Sequence, residues 1–303
     1  MATTKEIKNR IKSVKDTQKI TNAMYMIAST KLRKVKSELD HTRPYFNALK
    51  TQINRLFSFD EDVESPYFYS GEGDYNPGGT YGLLVITADK GLAGAYNQNV
   101  LKEAMRLIKQ HKSVKLFVVG EYGRHYFTSH NVAIERSFLY TAQNPTLGRA
   151  RQISNILTEL YKEGKVSEID ILYTDMQGAV SSDVCSYRLL PFHRNHFMDN
   201  APCVQTSFQF MPSVEKVLDN IVPSYISGFI YSALIDSFCS EQNARMRAMD
   251  SANRNASKLL EELSIQYNHI RQAAITQEIT EVSSGAKSMR KKAKKKISKE
   301  RTT

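Results

Sequence analysis

Residues 1 to 43 contain neither glycine nor proline, and residues 229 to 284, a run of 56, contain neither again. Most of the 14 glycines and 8 prolines fall between those two runs. Both residue types interrupt helices. The two ends are therefore expected to form very long helices and the middle a loop-richer domain. At about 1.5 Å per residue the second run alone would make a rod of about 84 Å, longer than the core of any compact domain of this size. A periodic helix of that length needs a partner helix.

The apolar spacing supplies one. Ile7, Ile11 and Val14, then Ala28, Leu32, Val35 and Leu39, stand alternately four and three residues apart, and Gln18, Thr21 and Tyr25 fill the intervening slots. This is a heptad seam with a polar middle. Pro44 is expected to end or kink the helix, with the pattern resuming through Leu49, Ile53 and Leu56. Near the other end Met249, Asn253, Ala256, Leu260, Leu263, Tyr267, Ile270 and Ala274 keep the same register. Two such helices from one chain pair antiparallel if the middle folds back between them.

The middle alternates short β-branched runs with amphipathic stretches. Strands are expected at 82–88, 115–120, 133–140, 170–174 and 184–190, and helices at 100–111, 121–130 and 150–163. Strand–helix alternation predicts a mostly parallel sheet with covering helices. The expected fold class is α/β: a long antiparallel two-helix coiled coil from the N- and C-termini plus a central Rossmann-like domain. The expected boundaries are 1–58 for the first helix, 59–212 for the α/β domain, 213–286 for the second helix and 287–303 for a basic, disordered tail.

The net charge of +11 is concentrated. Between Lys287 and Arg301 stand nine Lys or Arg and one acid, Glu300, so this run carries +8 and everything before it +3. A nucleic-acid-binding fold would spread its charge over a folded face, so a nucleic-acid binder is a weak reading. No run approaches the ~18 consecutive apolar residues of a membrane span, and the polar start from Met1 to Arg10 has no signal-peptide character. The expectation is a cytoplasmic protein of a bacterium or bacterium-like compartment. Cys185, Cys203 and Cys239 are scattered, odd in number and without a CxxC pair, which argues against a disulfide framework or zinc site.

A search for catalytic constellations returns little. There is no Gly-rich phosphate loop of either common type and no nucleophile elbow. His193 and His196 form an HxxH more consistent with a solvated pair than a metal site. Asp89 to Asn97 follows a strand and precedes a helix; its small residues suit a tight, closely packed turn better than an anion nest. Lys31, Arg33, Lys34 and Lys36 put four charges in six residues, with Leu32 and Val35 keeping the seam. By composition alone that row is a solvated helix face. No catalytic residue, cofactor or metal is expected.

Three segments are more specific than their periodicity: Ile7 to Lys34 with Thr42-Arg43-Pro44-Tyr45; Thr87 to Gly94; and Glu241 to Met249 with Ala252, Asn255-Ala256, Tyr267-Asn268 and Arg271 to Glu281. In this order they resemble the gamma subunit of the F-type rotary ATP synthase over nearly the whole chain. The resemblance implies a non-catalytic rotor shaft in the F1 sector of a proton-translocating ATP synthase, in the central stalk. Its coiled coil would stand inside a ring of alpha and beta subunits and its α/β domain against the epsilon subunit and the c-subunit ring. The complex would sit peripherally on the cytoplasmic face of the bacterial membrane, with no transmembrane segment in this chain and no nucleic acid.

Residue by residue, the resemblance implies that Met24, Lys31, Arg33, Lys34, Lys36, Arg271, Gln272 and Thr276 contact the catalytic ring, and that Arg43 and Tyr225 lie on the foot, towards the c ring. The sequence departs from the family at Tyr25, where a glutamate is usual, and at Ser227, which replaces an acid downstream of Pro223. Family members usually stop shortly after Gly285-Ala286, whereas here the basic run continues; its sharper reading is a contact with acidic surface at the top of the ring. The alternatives are a coiled-coil adaptor outside any rotary complex and an α/β enzyme with helical arms.

Overall fold

The structure is a computed structural model describing residues 3–59, 65–69, 78–139, 142–176, 183–193, 211 and 213–300, without the side chains at 39, 42, 57–59 and 290–300. Cys203 and His196 lie outside the described residues. Two units are compact in themselves: residues 26–248, and residues 1–25 with 249–303. Two helices, α1 (Thr4–Phe59) and α5 (Val214–Glu300), run through both.

In the first of these units β2 (Tyr81–Ile86), β3 (Val114–Val119), β4 (Arg136–Phe138), β5 (Glu168–Asp175) and β6 (Asp183–Leu190) form one sheet in the order β4-β3-β2-β5-β6. All pairs are parallel except β5 with β6. Every residue of β2 is buried, as expected for a central parallel strand covered on both faces. Leu83 and Val85 face α2 (Tyr96–Gln110) and α3 (Glu121–Ser129), packing with Val100, Ala104 and Phe127. Leu84 and Ile86 face the opposite layer, α4 (Leu147–Lys162) with the inner parts of α1 and α5, among Ile153, Leu157, Ile53, Leu56, Ile226 and Ile230. A two-residue parallel bridge joins β1 (Phe68–Tyr69) to β7 (Phe192–His193); neither strand is long enough to leave a sequence signal.

The expected elements are all present, most with ends displaced by a few residues; α2 begins at Tyr96 rather than Val100, β4 keeps only Arg136–Phe138 of the expected 133–140, and α5 continues to Glu300, through residues 287–300 where a disordered tail was expected. Pro44 does not end α1, which continues to Phe59. The packing beyond it explains why. Phe46, Ile53 and Leu56 are buried in the core, and that burial outweighs the roughly 3 kcal/mol cost of an interior proline.

In the second unit the antiparallel seam closes as its spacing requires. Ile7, Ile11, Val14, Gln18, Thr21 and Tyr25 are the less exposed positions of α1, and Met249, Asn253, Ala256, Leu260, Leu263, Tyr267 and Ile270 those of α5. The polar slots meet each other: Gln18 donates to Ser257 Oγ at 2.9 Å, and the Thr21 hydroxyl donates to Asn253 Oδ1. This register brings Thr4 level with Ile270. From Arg271 to Met289 every residue of α5 is exposed, Ala274 included, so that position falls outside the seam although its spacing suits it. A reciprocal capping box starts α1: Thr3 Oγ1 accepts from Glu6 N–H, and Glu6 Oε2 accepts from Thr3 N–H at 2.9 Å. One 18-residue window of α5 reaches a mean hydropathy of 1.2, but 67% of it is buried inside the molecule, the mark of a core helix.

Candidate partner-binding surfaces

The Thr87–Gly94 turn and the Glu241–Ala248 stretch of α5 meet within one unit. After β2 the chain turns sharply, with Leu92 at φ +64° and Gly94 at φ +56°, and enters α2. Asp89 Oδ1 caps the start of α3 by accepting from Glu121 N–H at 2.9 Å. Thr87 Oγ1 donates to Val119 O at 2.8 Å and accepts from Gly123 N–H at 3.0 Å. Asn97 Oδ1 accepts from Ala88 N–H at 3.0 Å. A Cβ on Gly123 would lie 2.6 Å from Thr87 Oγ1, so the turn and α3 approach more closely than a side chain at 123 allows.

Arg245 locks this turn onto α5. Its guanidinium donates to Gly91 O at 3.0 Å and forms an ion pair with Glu241 at 2.5 Å. The turn therefore presents carbonyls to a cation, and its small residues serve close packing: Ala88, Ala93 and Tyr96 form a buried cluster against Ala244. Glu241 is 6% exposed. Burial raises its pKa, against the opposing pull of Arg245 and, more weakly, Lys31.

Lys31, Arg33, Lys34 and Lys36 all stand exposed on one stretch of α1. Arg43 is exposed and lies in the field of Asp236, whose pKa is pushed up to about 6 by burial and by Asp175. Met24 is half-buried; Arg271, Gln272 and Thr276 are fully in the exposed part of α5. Tyr225 differs from the expected surface position. It is 8% exposed, edge-on to Phe192 at 5.5 Å, because the turn of α5 that carries it faces the core. Ser227 is also buried, and its hydroxyl donates to Pro223 O at 2.8 Å. That bond ties the turn after the proline, and a carboxylate at 227 would have to be buried there.

The residues that motif reasoning missed are apolar. Ile20, Met26 and Ile27 on α1, and Ile275, Ile279, Val282 and Met289 on α5, are all between 47% and 77% exposed. On α5 they repeat at heptad spacing in a register offset from the seam. The signal is present in the sequence as a second stripe.

One other cluster is satisfied internally. Arg188 bridges Glu168 at 2.7 Å and Asp170 at 3.5 Å, Tyr81 donates to Asp170 at 2.9 Å, and His111 stacks on Tyr81 at 3.7 Å. Burial, reinforced by Asp170, pushes the Tyr81 hydroxyl far up. Cys239 is buried and Cys185 half-buried, both free thiols. Among the described residues no group of three or more potential ligands could hold a metal.

The family model described as ATP synthase matches residues 3–289. An ATP synthase gamma chain of Caldanaerobacter subterraneus subsp. tengcongensis is 42% identical, the match covering 93% of this chain and 98% of that one. An ATP synthase gamma chain of Acetobacterium woodii, described as sodium ion specific, is 33% identical over 94% and 98%. Among solved structures, a chain of the Euglena gracilis mitochondrial ATP synthase OSCP/F1/c-ring assembly shares the fold with a TM-score of 0.67 at 16% identity, covering 94% of each chain. A chain of the Tetrahymena thermophila central stalk/c-ring structure does so at 0.57 and 24%, covering 77% of this chain and 99% of that one. With its paired terminal helices, mostly parallel sheet and full-length relatives, the chain belongs to the ATP synthase gamma chain family.

Proposed function

We propose that this chain is the central rotor shaft of a rotary ATP synthase, coupling ion flow through a membrane ring to ATP synthesis or hydrolysis on surrounding subunits, and that it carries out no chemistry itself. The observation that carries the reading is the surface of α5. It continues past its pairing with α1 into a fully exposed helix with an apolar heptad stripe. Such a stripe suits a shaft that is held by other chains. The antiparallel seam suits torque transmission, since knobs held in holes resist sliding. Two helices cannot match a threefold ring, so the shaft presents a different face to each catalytic subunit. It would act by biasing their open and closed states through differential contact.

Within that reading Met24, Lys31, Arg33, Lys34, Lys36, Arg271, Gln272 and Thr276 face the alpha and beta subunits. Arg43 lies on the foot, towards the epsilon subunit and the c ring, and Tyr225 supports that foot from inside. The domain scheme is a coiled coil from 1–58 and 213–286 with an α/β domain at 59–212. The assembly sits peripherally on the cytoplasmic face of the membrane. The adaptor reading is disfavoured by the full-length match to the gamma chain family.

The test is a disulfide between the shaft and the ring. The full chain carrying Thr276→Cys is expected to co-purify with nucleotide-binding subunits. Oxidation against an engineered cysteine in the catalytic subunit is expected to stop turnover, with reduction restoring it. Unimpeded turnover with the cross-link formed would sink the coupling role, and failure to co-purify would sink the membership in such a complex.

A further inference from the structure

We propose that His111 and Glu168 form a proton-operated clasp: one proton taken up on acidification fills the 3.7 Å gap between His111 Nε2 and Glu168 Oε1 and ties the end of α2 to the start of β5. Every group involved belongs to residues 26–248, and nothing in the clasp depends on the rotor-shaft reading.

The His111 ring is held in one orientation. It follows directly on α2 and lies parallel to the Tyr81 ring on β2, with centroids 3.7 Å apart. Tyr81 is fixed in turn, its hydroxyl donating to Asp170 Oδ2 at 2.9 Å. On one edge of the imidazole Nδ1 lies 3.0 Å from Leu107 O. A carbonyl can only accept, so Nδ1 carries the proton and the neutral ring presents a bare Nε2. That nitrogen faces Glu168 Oε1 from beyond hydrogen-bonding distance. Two acceptors have nothing to share until a proton arrives.

The surroundings favour its arrival. Glu168 and Asp170 on β5 bring −2 and Arg188 on β6 brings +1, which leaves −1 beside a neutral imidazole and zero after one proton. Other nearby cations are engaged or turned to solvent: Arg106 on α2 pairs with Glu103, Lys115 on β3 pairs with Glu135, and Lys109 and Lys112 are exposed. Arg188 takes Glu168 Oε2 at 2.7 Å, leaving Oε1 to His111. An imidazolium is further favoured by the last carbonyls of a helix and by the face of an aromatic ring.

Burial raises the Glu168 pKa first, Arg188 opposes the rise, Asp170 adds to it and His111 opposes it. The folded state therefore binds a proton here more tightly than the unfolded chain. That contribution is complete below the ordinary carboxylate range and is lost as the pH rises through the higher folded value. An imidazole ordinarily exchanges its second proton between about pH 5 and 8. Whichever of the two atoms holds it, the proton closes the same contact, so this edge of the sheet is firmest in acid.

Amide hydrogen exchange in the full chain or its assembled complex tests the clasp. Corrected for the intrinsic rate, exchange over residues 108–115 is expected to be about three- to tenfold slower at about pH 5.5 than at about pH 8, the effect of one added hydrogen bond. H111Q and E168Q are each expected to remove that difference. H125Q, which deletes the exposed partner of Glu121, is expected to keep it. In the chain labelled with 15N-histidine, His111 is expected to carry its proton on Nδ1 and none on Nε2 at about pH 8. Equal protection at both pH values in the parent overturns the proposal, as does a difference that survives in H111Q, or a proton on Nε2 at the higher pH. If neither clasp variant folds, the exchange profile and imidazole tautomer of the parent decide.

Discussion

Phe46 on α1 lies directly against Gly228 on α5: a Cβ at 228 would come within 1.9 Å of the Phe46 ring. The two helices approach this closely where both enter the sheet-covering layer, and Phe46 itself is 8% exposed with Tyr231 6.3 Å away. A glycine inside a helix costs about 1 kcal/mol relative to alanine, so the close contact must be worth more than that.

Gly228→Ala is therefore expected to destabilise despite the better helix propensity. Overpacking costs about 1–3 kcal/mol, and with the Phe46 ring this close the cost falls at the upper end, which leaves a net loss of up to about 2 kcal/mol after the propensity gain. Thermal denaturation should show it. The double variant with Phe46→Leu should recover part of the loss; a Gly228→Ala protein as stable as the parent would refute the packing argument.

Arg245→Ala removes the partner of a buried carboxylate and the donor to Gly91 O. Breaking a buried ion pair from one side costs about 3–5 kcal/mol. Hydrogen exchange in residues 88–96 should accelerate, and Arg245→Ala combined with Glu241→Gln should be milder than Arg245→Ala alone. Equal losses in the single and double variants would show that Glu241 does not depend on Arg245.

Asp236 gives a pH signature. Burial raises its pKa first, Asp175 adds to the rise and Arg43 opposes it, to about 6 against a usual 3.8. The folded state holds this proton more tightly than the unfolded one. Asp236 therefore imposes no penalty below about pH 4, and stability declines as the pH rises towards 6, after which the full penalty remains. Its size is on the order of 1–3 kcal/mol. Asp236→Asn should flatten the stability curve between pH 4 and 6 and raise stability at pH 7, as measured by denaturant unfolding. A mutant curve parallel to the parent's would contradict the assignment.

Thr21 and Asn253 form the polar step of the terminal seam. Thr21→Val alone should loosen the coil by about 1 kcal/mol, because it leaves the Asn253 side chain without its partner. Thr21→Val with Asn253→Leu should tighten it, since apolar seam residues are more stabilising and polar ones fix register. Hydrogen exchange over residues 5–25 distinguishes the two. Slower exchange in the single variant than in the parent would rule out this role for the pair.

The element order could be read locally. Gly- and Pro-free runs with a heptad repeat specify long helices wherever they occur, and the predicted seam from Ile7 to Val35 coincides with the less exposed positions of α1. The strands of the central sheet could be read because both faces of a parallel strand are covered, which leaves a continuous apolar run such as Leu83 to Ile86. The β1–β7 bridge, two residues on each side, has no local pattern to read. Nor does the antiparallel direction of β6, which is set by where the chain returns.

For the candidate surfaces the division is similar. Charge and periodicity mark Arg33, Lys34 and Lys36 as an exposed row, and the stripe of Ile275, Ile279, Val282 and Met289 can be seen by counting sevens. Spacing alone cannot tell that Tyr225 points inward, that Ala274 falls beyond the seam, or that Arg245 joins Glu241 to a turn more than a hundred residues earlier in the chain.

By itself the sequence determined which segments are helix and strand, the heptad seam, the concentration of charge after Lys287 and the family. Those properties depend on neighbours a few residues apart. Only the tertiary structure decided which face of each helix is covered, where the pairing of α1 with α5 stops, and which charges are buried with partners. Each of these depends on elements distant in the chain being brought within a few ångströms, where desolvation and close packing, rather than local propensity, set the energy.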